Sequence, residues 1–251
     1  MKSRSRRSSV SIALALVLAG VATSAGLSIG ASPAYALGYL SVDRISVSNV
    51  TVASTSCRDI PVRFSISSDG FTSFSSGNTS VYRKSDYLES FFFSNFSDTW
   101  YYCPTVDGLG RFTLGPTALS GIYDNYPDFD FFEGTDYTST SFYIKAKSLL
   151  SFSGSQSSSS RVTWTIRAKR YDSSSYFNDG YYRWNPPKVQ LQRWNGSAWV
   201  KIKNFYPVGT GTSRGVIKYS MNTGKGLRYR VVSNSNLTTW GRTSDVVRTR
   251  R

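Results

Sequence analysis

The sequence predicts an all-β protein of two tandem antiparallel β-sandwiches behind a cleaved leader. Apolar residues recur with period two in short runs, Ser, Gly, Asn, Asp and Pro separate those runs, and no stretch keeps helical spacing. The 251 residues include 17 Tyr, 15 Phe and 6 Trp, enough aromatic area to build real cores.

The leader comes first. Lys2, Arg4, Arg6 and Arg7 precede an apolar run over 10–22, and Ala34-Tyr35-Ala36 places small residues where a signal peptidase cuts. This predicts a signal peptide over 1–36. The run is shorter than the roughly 20 residues that span a bilayer. Ser8-Ser9 follows Arg6-Arg7 where twin-arginine signals continue with an apolar residue, so the general secretory route is expected. The mature chain is expected to be extracellular, released or held at the cell wall, with no transmembrane segment.

In the first half, strands are expected over 40–48, 59–67, 88–94, 111–114 and 139–147. Cys57 and Cys103 are the only cysteines, and an even pair in an exported chain predicts one disulfide. Two thiols without His or further Cys cannot complete a zinc site.

In the second half, residues 161–169 alternate Val162, Trp164, Ile166 and Ala168 with Thr163, Thr165, Arg167 and Lys169. Residues 189–194 and 197–203 flank Asn195-Gly196, which predicts a two-residue type I′ hairpin. That register pairs Trp194 with Ser197, Gln192 with Trp199, Leu191 with Val200, Gln190 with Lys201 and Val189 with Ile202. Further strands are expected over 214–220, 227–233 and 245–250, while 155–160 and 172–175 read as turns or linkers. A boundary near Lys147 divides the mature chain into 37–147 and 148–251, each close to the roughly 100 residues of an immunoglobulin-like sandwich.

Val189-Gln190-Leu191-Gln192-Arg193-Trp194, the turn, Trp199-Val200 and Leu227-Arg228-Tyr229-Arg230-Val231-Val232 resemble the bacterial immunoglobulin-like modules of exported and cell-surface proteins. The mature chain, with its cysteine segments and Leu109-Gly110-Arg111-Phe112-Thr113-Leu114-Gly115-Pro116, is similar to small secreted proteins of high-GC Gram-positive bacteria. The resemblance implies the fold and export. It implies no activity, because such sandwiches serve as spacers, adhesive modules or binding domains.

Charge is divided unevenly. Residues 37–147 hold 8 basic and 12 acidic residues, whereas 148–251 hold 18 basic and 3 acidic. There is no His, which excludes a Ser-His-Asp triad, a Cys-His dyad and His-ligated zinc.

Period two places Gln190, Gln192, Trp199, Lys201, Lys203, Arg228 and Arg230 on one outer face of the second sandwich. Fixed cations suit phosphates or uronates and indole suits a sugar face, so an anionic wall polymer or glycan is the expected ligand. A solvated face, or a contact with the acidic half, reads the same residues without function. Nucleic acid is not expected outside the cell.

The connection over 172–188 holds Tyr176, Phe177, Tyr181, Tyr182 and Trp184, which either bind a ligand or cover the open end of the sandwich. Asp124, Asp128, Asp130, Glu133 and Asp136 are dense enough in oxygen for calcium, but Phe132 breaks the twelve-residue loop pattern. A solvated turn or docking against the basic half reads the same acids without a metal, and no other cofactor is expected. These acids are also the one pairing suited to glycoside hydrolysis, a remote alternative.

The expected function is non-enzymatic capture of an anionic wall polymer or glycan. The alternative is a structural or protein-partner module whose contact is the aromatic loop or the junction between halves, with an acidic extracellular protein as one such partner.

Overall fold

A computed structural model describes residues 39–69, 72–125, 128–156, 160–174 and 180–250, with backbone only for 123–125 and 128–130. The leader over 1–36, its cleavage site, Tyr176 and Phe177 lie outside the described residues. Residues 38–251 form one compact unit. Among the described residues no helix is long and apolar enough to cross a membrane.

The first half supplies β1 (Leu40–Val47), β2 (Val50–Val52), β3 (Arg58–Ser68), β4 (Thr72–Arg83), β5 (Asp86–Phe93), β6 (Ser97–Tyr102), β7 (Gly110–Asn125), β8 (Asp128–Asp136) and β9 (Thr140–Ala146). One sheet has the order β1-β3-β6 and the other β2-β9-β7-β4-β5, with β8 hydrogen-bonded to β7. Their inner faces meet in one core that includes Val62, Trp100 and Tyr102 from the first sheet and Val81, Phe112 and Ile144 from the second. Thr79 and Thr117 are also buried there, and their hydroxyls pair at 2.8 Å, which satisfies both.

Gly115 marks where β7 changes partner, from β9 over 110–114 to β8 over 117–125. Its φ is +104°, and a Cβ there would lie 2.3 Å from the Thr138 carbonyl oxygen, so a side chain is excluded twice. Cys57 and Cys103 are disulfide-bonded, joining the chain just before β3 to the chain just after β6, where Arg58 pairs with Tyr102.

The second half supplies β10 (Ser148–Gln156), β11 (Arg161–Asp172), β12 (Gly180–Arg183), β13 (Val189–Trp194), β14 (Trp199–Phe205), β15 (Val216–Asn222), β16 (Arg228–Ser233) and β17 (Val247–Arg248). One sheet orders β10-β11-β12, with β15 also on β11, and the other β14-β13-β16-β17. This is the strand order of an immunoglobulin-like sandwich. Its core holds Val162, Trp164 and Ile166 from β11 against Val189, Leu191, Tyr229 and Val231. The Trp164 and Tyr229 rings lie 4.8 Å apart, and the Tyr229 hydroxyl pairs with the Thr223 hydroxyl at 2.5 Å. That bond closes the turn before β16.

Lys147 alone separates β9 from β10, and both halves bond across it. Ala146 N–H donates to the Thr238 carbonyl at 2.8 Å, and Lys147 N–H donates to that of Val52 at 2.7 Å. Trp240 and Tyr171 N–H groups donate back to Ala146 and Lys147 at 3.1 and 2.8 Å. The Lys145 ammonium lies 4.4 Å from the ring centres of both Tyr143 and Trp240, and burial lowers its pKa. Tyr171 belongs to the first core although it follows Lys147 in sequence.

The hairpin differs from its expected register. Trp194 pairs with Trp199, not Ser197, because four residues make the turn. The Asn195 carboxamide oxygen accepts from Ser197 N–H at 3.0 Å and Ala198 N–H at 2.8 Å, stabilising the longer loop. Gln192 then pairs with Lys201, a bulge follows, and Leu191 pairs with Lys203, Gln190 with Asn204 and Val189 with Phe205.

Two further expectations change. Residues 155–156 continue β10 and residue 172 ends β11, which shortens both expected connections, while 157–159 and 175 lie outside the described residues. The aromatic connection contains β12, whose register sets Tyr171 opposite Tyr181 and Arg170 opposite Tyr182.

Candidate functional site

The outer face of the β14-β13-β16-β17 sheet follows from strand alternation. Tyr229, Val231 and Ser233 are buried, so Arg228 and Arg230 point out, and Gln190, Gln192 and Trp194 point out from β13 by the same rule. Cross-strand pairing sets Lys201 and Arg230 on either side of Gln192, and Arg248 beside Arg228. No Asp or Glu occurs in β13, β14, β16 or β17, and the nearest acid in sequence is Asp245, two residues before β17.

Two arginines are held against indoles. The Arg230 guanidinium carbon lies 4.3 Å from the Trp199 ring centre, and that of Arg228 lies 5.2 Å from Trp194. The two indoles are 5.5 Å apart. Each stack contributes about 0.5–1 kcal/mol at an exposed site and restricts the guanidinium.

Arg230 Nε–H donates to Gln192 Oε1 at 2.8 Å, Gln192 Nε2 donates to Gln190 Oε1 at 2.5 Å, and Gln190 Nε2 donates to Asn204 Oδ1 at 3.3 Å. The two glutamines are therefore spent on orienting Arg230, while its terminal Nη groups remain available to a ligand. Trp199 also differs from an open sugar platform, since a guanidinium occupies one side of the indole.

Lys203 leaves this group. The bulge sets it opposite buried Leu191, and its ammonium lies 4.3 Å from the Tyr219 ring centre on the other sheet and 5.8 Å from that of Phe205. Strict alternation carries its Cβ outward only if no residue is inserted, and Ile202 is the inserted one.

Of the aromatic connection, Trp184 is 7% exposed and belongs to the second core. Tyr181 packs on the first core, 5.6 Å from the Tyr171 ring in an edge contact. Tyr182 is 46% exposed. Among the described rings, two are committed to packing and Tyr182 remains accessible.

The acidic cluster lies on the β7–β8 ladder, where Tyr123 pairs with Asp130, Asp124 with Phe129 and Asn125 with Asp128. The side chains of Asp124, Asp128 and Asp130 lie outside the described residues. Glu133 and Asp136, three positions apart on one strand, face opposite sides. Among the described residues no three potential metal ligands come together.

Asp136 serves the fold itself, since its Oδ2 accepts from Val42 N–H at 3.0 Å and its Oδ1 from Thr138 N–H at 2.7 Å. Partial burial pushes its carboxyl up, but the hydrogen bonds from Thr138 and Val42 together outweigh that and hold it below the ordinary carboxylate range.

Fold and face together define an immunoglobulin-like all-β protein with a cationic sheet surface. No protein-family model matches the chain, and no curated protein matches it. Among solved structures it is similar to a marsupial T cell receptor, at 12% identity over 84% of this chain and 72% of that one, with a TM-score of 0.29. It is also similar to the D0–D1 domain of intimin, at 10% identity over 86% of this chain and 100% of that one, with a TM-score of 0.24. Neither likeness bears on function at such scores, and the fold rests on the strand order itself.

Proposed function

We propose that this protein is a non-enzymatic extracellular binding protein that captures an anionic wall polymer or acidic glycan on its basic sheet face. The observation that carries this reading is the set Lys201, Arg228, Arg230 and Arg248 on a sheet whose strands contain no acid. A polymer with phosphate or carboxylate along its length meets several fixed cations at once, and arginines already stacked on Trp194 and Trp199 lose little freedom on contact. The disulfide supports export, because such bonds persist in oxidising surroundings. Sedimentation with purified teichoic-type polymer tests the reading: the protein is expected in the pellet at low salt and in the supernatant at high salt. Recovery in the supernatant at both would overturn it.

A second reading is a protein-partner module, and a specific observation favours it. Ile122 and Phe131 pair directly across β7 and β8 and are 41% and 80% exposed, an apolar spot on a long hairpin. Release of the protein into the medium without wall affinity favours this second reading.

A further inference from the structure

The geometry points to a second anion site, apart from the sheet face: a pocket in which Arg170, Arg183 and Arg214 hold one tetrahedral oxyanion. The cavity has a volume of about 240 Å³ and is lined by these three arginines with Trp184 and Asn185, none of them acidic. Like charges gathered around one cavity repel, and an oxyanion accepting from several guanidiniums relieves that repulsion while matching their paired N–H geometry.

The cations come from three segments that the backbone fixes in place. Arg170 is on β11 opposite Tyr182, and Arg183 closes β12. Arg183 is further steadied by donating an Nη1 hydrogen bond to the Thr212 carbonyl. Arg214 sits in the loop before β15, which Asn185 ties at two points: its Nδ2 donates to the Gly209 carbonyl at 2.8 Å and its Oδ1 accepts from Gly215 N–H at 2.7 Å. Both ends of that carboxamide are thus spent on holding the loop.

Ala168 completes the clamp by donating to the Gly215 carbonyl at 2.7 Å and accepting from Trp184 N–H at 3.1 Å. Gly215 has φ +67°, and a Cβ there would lie 2.5 Å from the carbonyl oxygens of Ala168 and Trp184. Only glycine lets the loop approach so closely, and that approach sets Arg214 at the cavity rim. The site is therefore preorganised, which lowers the ordering cost of binding.

This site stands whether or not the sheet face holds a polymer. The shared ligand chemistry is a phosphate-type oxyanion, free or carried as a polymer diester. The test is thermal unfolding of the mature chain in sodium phosphate against sodium chloride at equal ionic strength, with glycerophosphoglycerol as the diester probe. Phosphate is expected to raise Tm by about 3–6 °C for each tenfold increase beyond its dissociation constant.

A comparable rise with the diester assigns the site to polymer, and a rise with inorganic phosphate alone assigns it to the free ion. Arg214→Gln and Arg170→Gln are expected to lose the phosphate-specific rise while keeping a Tm in chloride equal to or above the parent's, which separates loss of the site from misfolding. The double variant R228Q/R230Q on the sheet face is expected to keep the rise. Equal Tm in phosphate and chloride, or an undiminished rise in Arg214→Gln, would overturn the proposal.

Discussion

Arg230 shows how neighbouring side chains orient one guanidinium on a sheet face. Trp199 covers one side of the guanidinium and Gln192 takes its Nε–H, so the Nη groups are presented in a restricted arrangement. Trp199→Ala keeps every charge yet is expected to weaken polymer binding about two- to fivefold, the equivalent of one exposed cation–π contact, without changing the salt dependence. Titration calorimetry at two salt concentrations measures both quantities. Asp136 gives a residue-scale prediction of a different kind. Its folded pKa lies below the unfolded value near 3.8, so its stabilisation is present above that value and lost as pH falls toward the lower one. Asp136→Asn is therefore expected to reduce stability at neutral pH, by about 1–2 kcal/mol for its two backbone hydrogen bonds, and to flatten the acid limb of a denaturation profile.

At the scale of elements, legibility follows burial. β11 buries Val162, Trp164, Ile166 and Ala168 on one face only, so strict alternation in the sequence reports it directly. β4 and β10 escape a sequence reading because Ser, Thr and Gly fill their length and their burial comes from neighbouring strands. β8 escapes because its acids and aromatics read as a loop or metal site. The hairpin is legible, but its four-residue turn and its bulge are not, since Asn-Gly favours the shorter turn on local grounds. Lys203 is misplaced by that single inserted residue, Gln190, Gln192, Trp199, Lys201, Arg228 and Arg230 are legible from alternation, and Arg248 and Trp194 emerge only from strand pairing and ring contacts.

The same scale carries two stability predictions. Replacing both Cys57 and Cys103 by Ser reopens a loop with a sequence separation of 46 and is expected to cost about 4 kcal/mol on the chain-entropy estimate. Gly215→Ala meets two carbonyl oxygens at 2.5 Å and is expected to cost about 1–3 kcal/mol, while displacing Arg214. Denaturant midpoints report both.

Taken as a whole molecule, the formal +15 is a sum of unlike parts: four basic residues and no acid in 1–36, 8 basic against 12 acidic residues in 37–147, and 18 against 3 in 148–251. The sequence displays that polarity without structural help. It does not display the junction, where residues far apart in the chain, such as Val52 and Lys147 or Ala146 and Thr238, share backbone hydrogen bonds. These bonds, with Lys145 between Tyr143 and Trp240, are expected to make residues 38–251 unfold in one calorimetric transition, and Trp240→Ala to separate it into two.

The basic sheet face is most directly tested by the dependence of polymer affinity on salt in the parent and in R228Q/R230Q. The logarithm of the parent's binding constant is expected to fall linearly with the logarithm of salt concentration, and the variant's slope to be shallower by up to about two, one for each lost phosphate contact. Parent affinity that does not change with salt, or a variant slope equal to the parent's, would contradict the assignment of that face to an anionic polymer.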